Sequence, residues 1–219
     1  MAHLIPVPFA VVSVILLIAA EFREQREKIY LWKPISTLLV IAVAALSLLN
    51  PAADPVYTGW LLVALFLSLV GDMALMFESE RAFLVGLVGF LLAHVVYAVL
   101  FTVTSGFQSS DWISGVVVLA AAIAFYRLLW PHLGRMKLPV AVYTFIICFM
   151  LNRAFSTLLG DYFAASQAGI IFAGALLFFV SDIILGLNRF GFPFRYHRIS
   201  LVFYYSGQLL LALSASYFA

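Results

Sequence analysis

Apolar residues run along this chain in long blocks, and the polar residues gather between the blocks rather than alternating within them. Blocks of about 17 to 25 mainly apolar residues suit helices that cross a bilayer. Eight fit, over 4–20, 35–49, 57–77, 82–105, 112–130, 138–158, 165–187 and 199–218. The second is short, and its start is expected to reach back towards Tyr30. The connections are brief and carry turn residues: NPAADP at 50–55, SGFQSSD at 105–111 and LGDYF at 159–163. The pattern predicts an all-α, polytopic membrane helix bundle of eight transmembrane helices, forming one integral-membrane domain over 1–219.

Composition agrees. Of 219 residues, 65% are hydrophobic and 10% charged, against about 25% charged in a soluble domain. So few charges cannot cover a water-facing surface, so the bulk of the chain faces lipid. The single Cys148 excludes an internal disulfide and reads as a small buried hydrophobe. The first block lacks a basic leading region and a clear A-x-A site, so no secretory signal is expected. A net charge of +2 says little about partners, and no nucleic-acid partner is expected.

The placement of charge says more than its sum. Eleven of the twelve Lys and Arg residues fall in the first, third, fifth and seventh connections, with Arg153 the exception. By the positive-inside rule those connections are cytoplasmic, and both termini lie on the non-cytoplasmic side. The chain is accordingly placed as a multi-pass protein of a bacterial inner membrane.

Against this background two stretches stand out. LFLSLVGDMALMF sets Asp72 inside the third block, and LLFFVSDIILGL sets Asp182 inside the seventh. Both blocks descend to the basic side, and each aspartate lies about 7–8 Å above that edge by helical rise. The shared spacing, G-D-x-x-L and S-D-x-x-L, suggests an old duplication of four helices, over 1–105 and 112–219.

An ionised Asp near the bilayer centre costs on the order of 2.5–3.5 kcal/mol. The purely structural reading makes each a hydrogen-bonded link to a neighbouring Ser or Tyr. The functional reading makes them one site. Two carboxyls in one low-dielectric pocket cannot both ionise easily, so one is expected to keep its proton. An acid beside a carboxylate is equipment for general acid–base chemistry.

Polar residues converge on the same half: Tyr143 early in the sixth block, and Tyr204, Tyr205 and Gln208 early in the eighth. Tyr204 and Gln208, four apart, share a helix face. His94 and Tyr97 lie near mid-membrane in the fourth, and Lys33 with Pro34 opens the second at the rim. Singly, each has a structural explanation, because tyrosines favour interfaces and lysines snorkel. Arg153 is expected to snorkel outward to Asp161 or a lipid phosphate, and Gly86 and Gly89 to permit close helix packing. No Walker loop, G-x-S-x-G, H-E-x-x-H or cysteine cluster appears. No cofactor is implied, and His94, Asp72 and Asp182 make a weak metal set.

Taken in order, Lys33-Pro34, Gly71-Asp72 with Leu75, Phe90-x-x-x-His94-x-x-Tyr97, Tyr143, Ser181-Asp182 with Leu185, and Tyr204-Tyr205-x-x-Gln208 resemble the YhhN family of membrane proteins. That family includes the lysoplasmalogenases. The resemblance runs from about residue 30 to 212 and implies hydrolysis of the vinyl ether of a lysophospholipid, giving a fatty aldehyde and a glycerophospho-headgroup. It implies Asp72 and Asp182 as the catalytic pair, since vinyl ethers break by carbon protonation and water addition through a cation like that of glycoside hydrolysis. Asp72 is expected as the acid, with Gly71 leaving room for a lipid or helix. Asp182 is expected as the base, kept ionised by a hydrogen bond from Ser181. Lys33 or Arg198 is expected to hold the phosphate, and Tyr143, Tyr204 or Gln208 to orient water, with His94 and Tyr97 alongside as substrate-binding residues. Membrane lipid is the medium and a lysophospholipid the partner. A proton-coupled transporter using the same pair as a relay, an intramembrane aspartyl protease, and a lipid-binding protein without turnover stay open as alternatives.

Overall fold

The computed structural model describes residues 2–194 and 197–216. Among the described residues every regular element is helical. The α-helices are α1 Pro6–Phe22, α2 Arg26–Ser47, α3 Pro55–Ala74, α4 Glu80–Ser105, α5 Asp111–Leu129, α6 Lys137–Ser156, α7 Ala165–Phe190 and α8 Ser200–Ser214. Seven of the helical segments are long and apolar enough to cross a membrane, and the protein is an integral membrane protein. The eighth helix spans 15 residues and follows a 3₁₀ turn at His197–Ile199. Its predicted end at Phe218, and Arg195 in the basic count, lie outside the described residues.

Local chemistry sets several ends. The Asp54 side chain accepts the N–H groups of Val56 and Tyr57 at 2.8 and 3.0 Å, and Pro55 occupies the first turn of α3. Ser79 caps α4 by accepting from Ala82 N–H at 3.1 Å. Gly106, at φ 65°, ends α4 in a conformation that a side chain would oppose.

Several boundaries shift by a few residues, and two of the shifts bear on the site. α2 starts at Arg26, so Pro34 stands inside the helix and Lys33 lies two turns in, not at its opening. Those first turns are amphipathic: Ile29 and Trp32 pack on the core while Arg26 and Glu27 face water, and a search for unbroken apolar runs passes over such turns. α3 ends at Ala74, short of Phe77, because the chain turns through Leu75 and Met76.

The bundle has two distinct ends. The connections carrying the basic residues meet at one of them, where Arg26 pairs with Glu78 at 2.6 Å and Arg198 with Glu21 at 3.1 Å. At the other, Tyr162 donates to Asp54 at 2.5 Å, and Tyr57 and Ser214 share a 2.7 Å hydrogen bond. Close backbone approach knits the helices, as membrane bundles require. A Cβ on Gly89 would lie 3.0 Å from the Gly71 nitrogen, binding α3 to α4, and one on Gly174 would lie 2.9 Å from the Gly207 oxygen, binding α7 to α8.

Arg153 differs most from expectation. It is fully buried and pairs with Asp111 at the start of α5, not with Asp161 or lipid. It also donates to the Gly106 carbonyl at 3.1 Å and to Ser156 at 2.6 Å. A buried guanidinium must satisfy its donors, and Asp111, at the N-terminal end of α5, supplies the matching charge within the bundle.

Candidate active site

α2, α3 and α8 build the surroundings of Asp72. It stands near the C-terminal end of α3, 2% exposed. Thr37, one turn beyond Lys33 on α2, donates to Oδ2 at 2.6 Å, and Tyr204 of α8 donates to the same oxygen at 2.7 Å. Behind Tyr204 the hydrogen bonds continue in one direction. Tyr97 donates to Gln208 Oε1 at 3.1 Å, and Gln208 Nε2 donates to the Tyr204 hydroxyl at 3.2 Å. Tyr205 donates to the Lys33 carbonyl at 3.3 Å, bracing α8 against α2. The room beside Gly71 is taken by Phe90 of α4, whose ring a Cβ there would meet at 2.6 Å.

Asp182 has a simpler shell. Tyr143 of α6 donates to its Oδ2 at 2.5 Å. Ser181 makes no hydrogen bond to it among the described residues, because consecutive helical side chains do not face each other. His94 of α4 is completely buried, with Nε2 3.9 Å from Asp182 Oδ2, beyond hydrogen-bond reach. Its ring meets Tyr143 and Phe178 edge-on, with centroids 5.4 and 4.6 Å away. Among the described residues neither ring nitrogen has a hydrogen-bond partner of good geometry. For each aspartate, the second carboxylate oxygen has no hydrogen bond among the described residues.

The two aspartates line one cavity of about 280 Å³ at the basic end, with Lys33, Arg189, Arg198 and Tyr204 around them. Glu21 and Glu78 line it as well. Asp182 also borders a second, apolar cavity of about 90 Å³. Leu87 and Phe90 of α4, Ala122 of α5, Tyr143 and Ile147 of α6 and Phe179 of α7 contribute to its wall. The arrangement is amphiphilic: a charged chamber on one side of Asp182, a hydrocarbon slot on the other.

Of the residues singled out in the sequence, Asp72, Asp182, Lys33, Tyr204 and Arg198 share the charged chamber. Tyr143 touches Asp182, while Tyr97 and Gln208 sit behind Tyr204 and do not line it. Arg198 is engaged, since Nε meets Glu21 at 3.1 Å and Nη2 meets Glu24 at 4.0 Å. Arg189 was overlooked. It lines both cavities, its guanidinium lies 4.8 Å from the centre of the Phe83 ring, and among the described residues no carboxylate lies within ion-pair distance. Its position two turns after Asp182 on the same helix was the available signal. Thr37 was missed too, and only its contact with Asp72 distinguishes it. No group of three or more His, Cys, Asp or Glu suited to a metal ion occurs among the described residues.

Residues 28–215 match the YhhN family. The human lysoplasmalogenase TMEM86A is 36% identical over 174 residues, which cover 77% of this chain and 68% of that protein. The human lysoplasmalogenase TMEM86B is 34% identical over 161 residues, 73% of this chain and 64% of that protein. A lysoplasmalogenase of Mycobacterium bovis is 34% identical over 137 residues, 60% of this chain and 50% of that protein. No solved structure matches the chain.

Proposed function

Because this chain belongs to the YhhN family, we propose that it is a lysoplasmalogenase, hydrolysing the vinyl ether of a lysophospholipid within the membrane. One observation carries this reading: Asp182 stands where an apolar cavity meets a charged one that also holds Asp72. The substrate has the same polarity, a hydrocarbon chain joined through the ether to a phosphate-bearing headgroup. With the chain in the slot and the phosphate beside Lys33 and Arg189, the vinyl ether lies between the two carboxyls.

This pose reverses the roles expected from the sequence. The carbon to be protonated lies on the chain side of the ether oxygen, and Asp182 is the aspartate that borders the slot. Asp72 faces the charged chamber and accepts two hydroxyl hydrogen bonds, which suit a carboxylate. Asp182 therefore gives its proton to the outer vinyl carbon, and the double-bond electrons form the new C–H bond. The cation left on the inner carbon is shared with the ether oxygen and faces Asp72. Water adds to that carbon while Asp72 takes its proton. The hemiacetal then collapses: its C–O bond to glycerol breaks, Asp72 returns the proton to the leaving oxygen, and the hemiacetal hydroxyl proton restores Asp182. The products are a fatty aldehyde and the glycerophospho-headgroup, with one water consumed. Tyr143 orients Asp182, and Thr37 and Tyr204 orient Asp72.

The gathering of basic residues at the site's end supports a cytoplasmic orientation of that end, with the bacterial inner membrane as location. The glycine-mediated α3/α4 and α7/α8 pairs support a duplication of 1–105 and 112–219 within one domain.

The test is aldehyde release from a defined lysoplasmalogen by the detergent-purified protein, beside Asp72→Asn and Asp182→Asn. Release by the parent protein, lost in both folded variants, is the expected result. A parent protein inert on choline and ethanolamine forms alike overturns the reading.

A further inference from the structure

The apolar slot is too small for a whole lipid chain. It holds about 90 Å³, and its wall towards α5 is thin. Ala122 of α5 and Thr144 of α6 line the slot, and both also line a groove of about 330 Å³ on the far side of the α5–α6 seam. That groove is walled by Leu119, Ile123 and Phe145, among others. All three are apolar, and Ile123 and Phe145 are 45% and 58% exposed, as lipid-facing side chains are. Slot and groove are thus separated by little more than a methyl group and a threonine side chain.

α5 is also the helix least held by the bundle. Only 11% of its most apolar window is buried, against 50% for the corresponding windows of α4 and α6. Its polar ties are at its two ends. At its start Asp111 pairs with Arg153, and Asn152 donates to the Asp111 carbonyl at 2.9 Å and to Ser114 at 2.7 Å. At its finish Tyr126 donates to the Lys137 carbonyl at 3.0 Å, and Lys137 Nζ lies 4.1 Å over the Trp130 ring. Leu129, Leu133 and Val140 form a separate small core there. Between the ties no side-chain hydrogen bond joins α5 to α6 among the described residues, and Ala122 and Thr144 line both the slot and the groove.

We infer that the α5–α6 seam at Ala122 and Thr144 is the lateral passage for the substrate's single hydrocarbon chain, whose far end rests in the lipid-facing groove while its vinyl ether lies at Asp182. This deepens the proposed function and rests on it for the identity of the ether. One consequence follows for specificity. The chain site is open-ended, so chain length is not measured by a closed floor.

Two measurements test the passage. In the first, hexadecenyl and hexenyl lysoplasmalogens are compared on Ala122→Trp, Thr144→Trp and, on the lipid-facing side of α5, Val117→Trp. Narrowing a hydrocarbon site changes kcat/KM by roughly ten- to a hundredfold. The expected result is a fall of that size in the long-to-short ratio for the two seam variants, with the Val117→Trp ratio unchanged. Equal loss on both substrates, or no loss, overturns the passage. The second measurement needs no turnover. An alkyl-ether lysophospholipid with a mid-chain diazirine is photolysed on the parent protein, and label on 119–126 and 141–148 is expected. Label confined to other helices overturns the passage even where hydrolysis is found. Label on the seam of a protein inert on lysoplasmalogens leaves the chain path standing and removes the hydrolase reading.

Discussion

Asp111 and Asp72 are both buried carboxylates, 8% and 2% exposed, at opposite ends of the same bundle, and their partners could hardly differ more. Asp111 is saturated. Arg153 neutralises it, Ser156 donates to it, and the Gln108 N–H meets it at 2.6 Å. Every charge there is spent on another protein charge, and the cluster borders neither of the two cavities at Asp182. Asp72 and Asp182 accept from hydroxyls instead, with Lys33 in the chamber beside Asp72; among the described residues each keeps one oxygen without a hydrogen bond, and both open on a chamber. A carboxylate closed by an arginine is a fastening. A carboxylate surrounded by hydroxyls and facing empty space is available to a substrate, and in the proposed reading that difference, not burial, separates chemistry from architecture.

The sharpest break of this comparison is a matched set of amides. Asp72→Asn and Asp182→Asn are each expected to lower aldehyde release by about 10²–10⁴-fold, the usual worth of a general acid or base, with thermal unfolding little changed. Asp111→Asn is expected to do the reverse, keeping turnover and lowering the unfolding temperature. Next comes the fastening itself. Arg153→Ala strands a buried carboxylate and is expected to cost about 3–5 kcal/mol of stability in detergent. The double variant Asp111→Leu with Arg153→Met removes both charges and is expected to recover most of that. A double variant as unstable as the single one would deny that the pair is a lock.

Smaller effects sharpen the active end. Tyr143→Phe removes the only hydroxyl donor to Asp182 among the described residues, and a lost hydrogen bond of about 1–2 kcal/mol corresponds to a kcat lowered about tenfold. Tyr204→Phe leaves Thr37 in place on Asp72 and is expected to cost less; equal losses would show that the two shells are not used differently. Arg189→Ala is expected to raise KM more than it lowers kcat, as loss of a phosphate contact does.

The smallest effect lies outside the membrane spans. Burial pushes the Asp54 carboxyl up, but the Tyr162 hydroxyl and the Tyr57 and Val56 N–H groups outweigh it, so it sits below its ordinary value of 3.8. A lowered carboxyl stabilises the fold above the unfolded value and loses that contribution as pH falls through the folded one. Acid titration of unfolding below about pH 4 is therefore expected to be flatter in Asp54→Asn than in the parent protein. An unchanged slope would remove Asp54 from the acid response.

Much of this molecule was legible in the order of its residues. Blocks of apolar residues long enough for a bilayer have no alternative to helix, because lipid offers no hydrogen-bond partner to an open backbone. The same physics makes an intramembrane Asp conspicuous, so Asp72 and Asp182 could be picked out without a structure. Boundaries were harder: the charged first turns of α2 hid its start, and Lys33 with it. Tertiary structure alone decided who meets whom. Whether Arg153 turns to Asp161 or Asp111, whether Ser181 or Tyr143 serves Asp182, and which carboxyl borders the hydrocarbon slot all depend on helix rotation and pairing. The period of a helix states which residues share a face, but the direction in which that face looks is set by its neighbours.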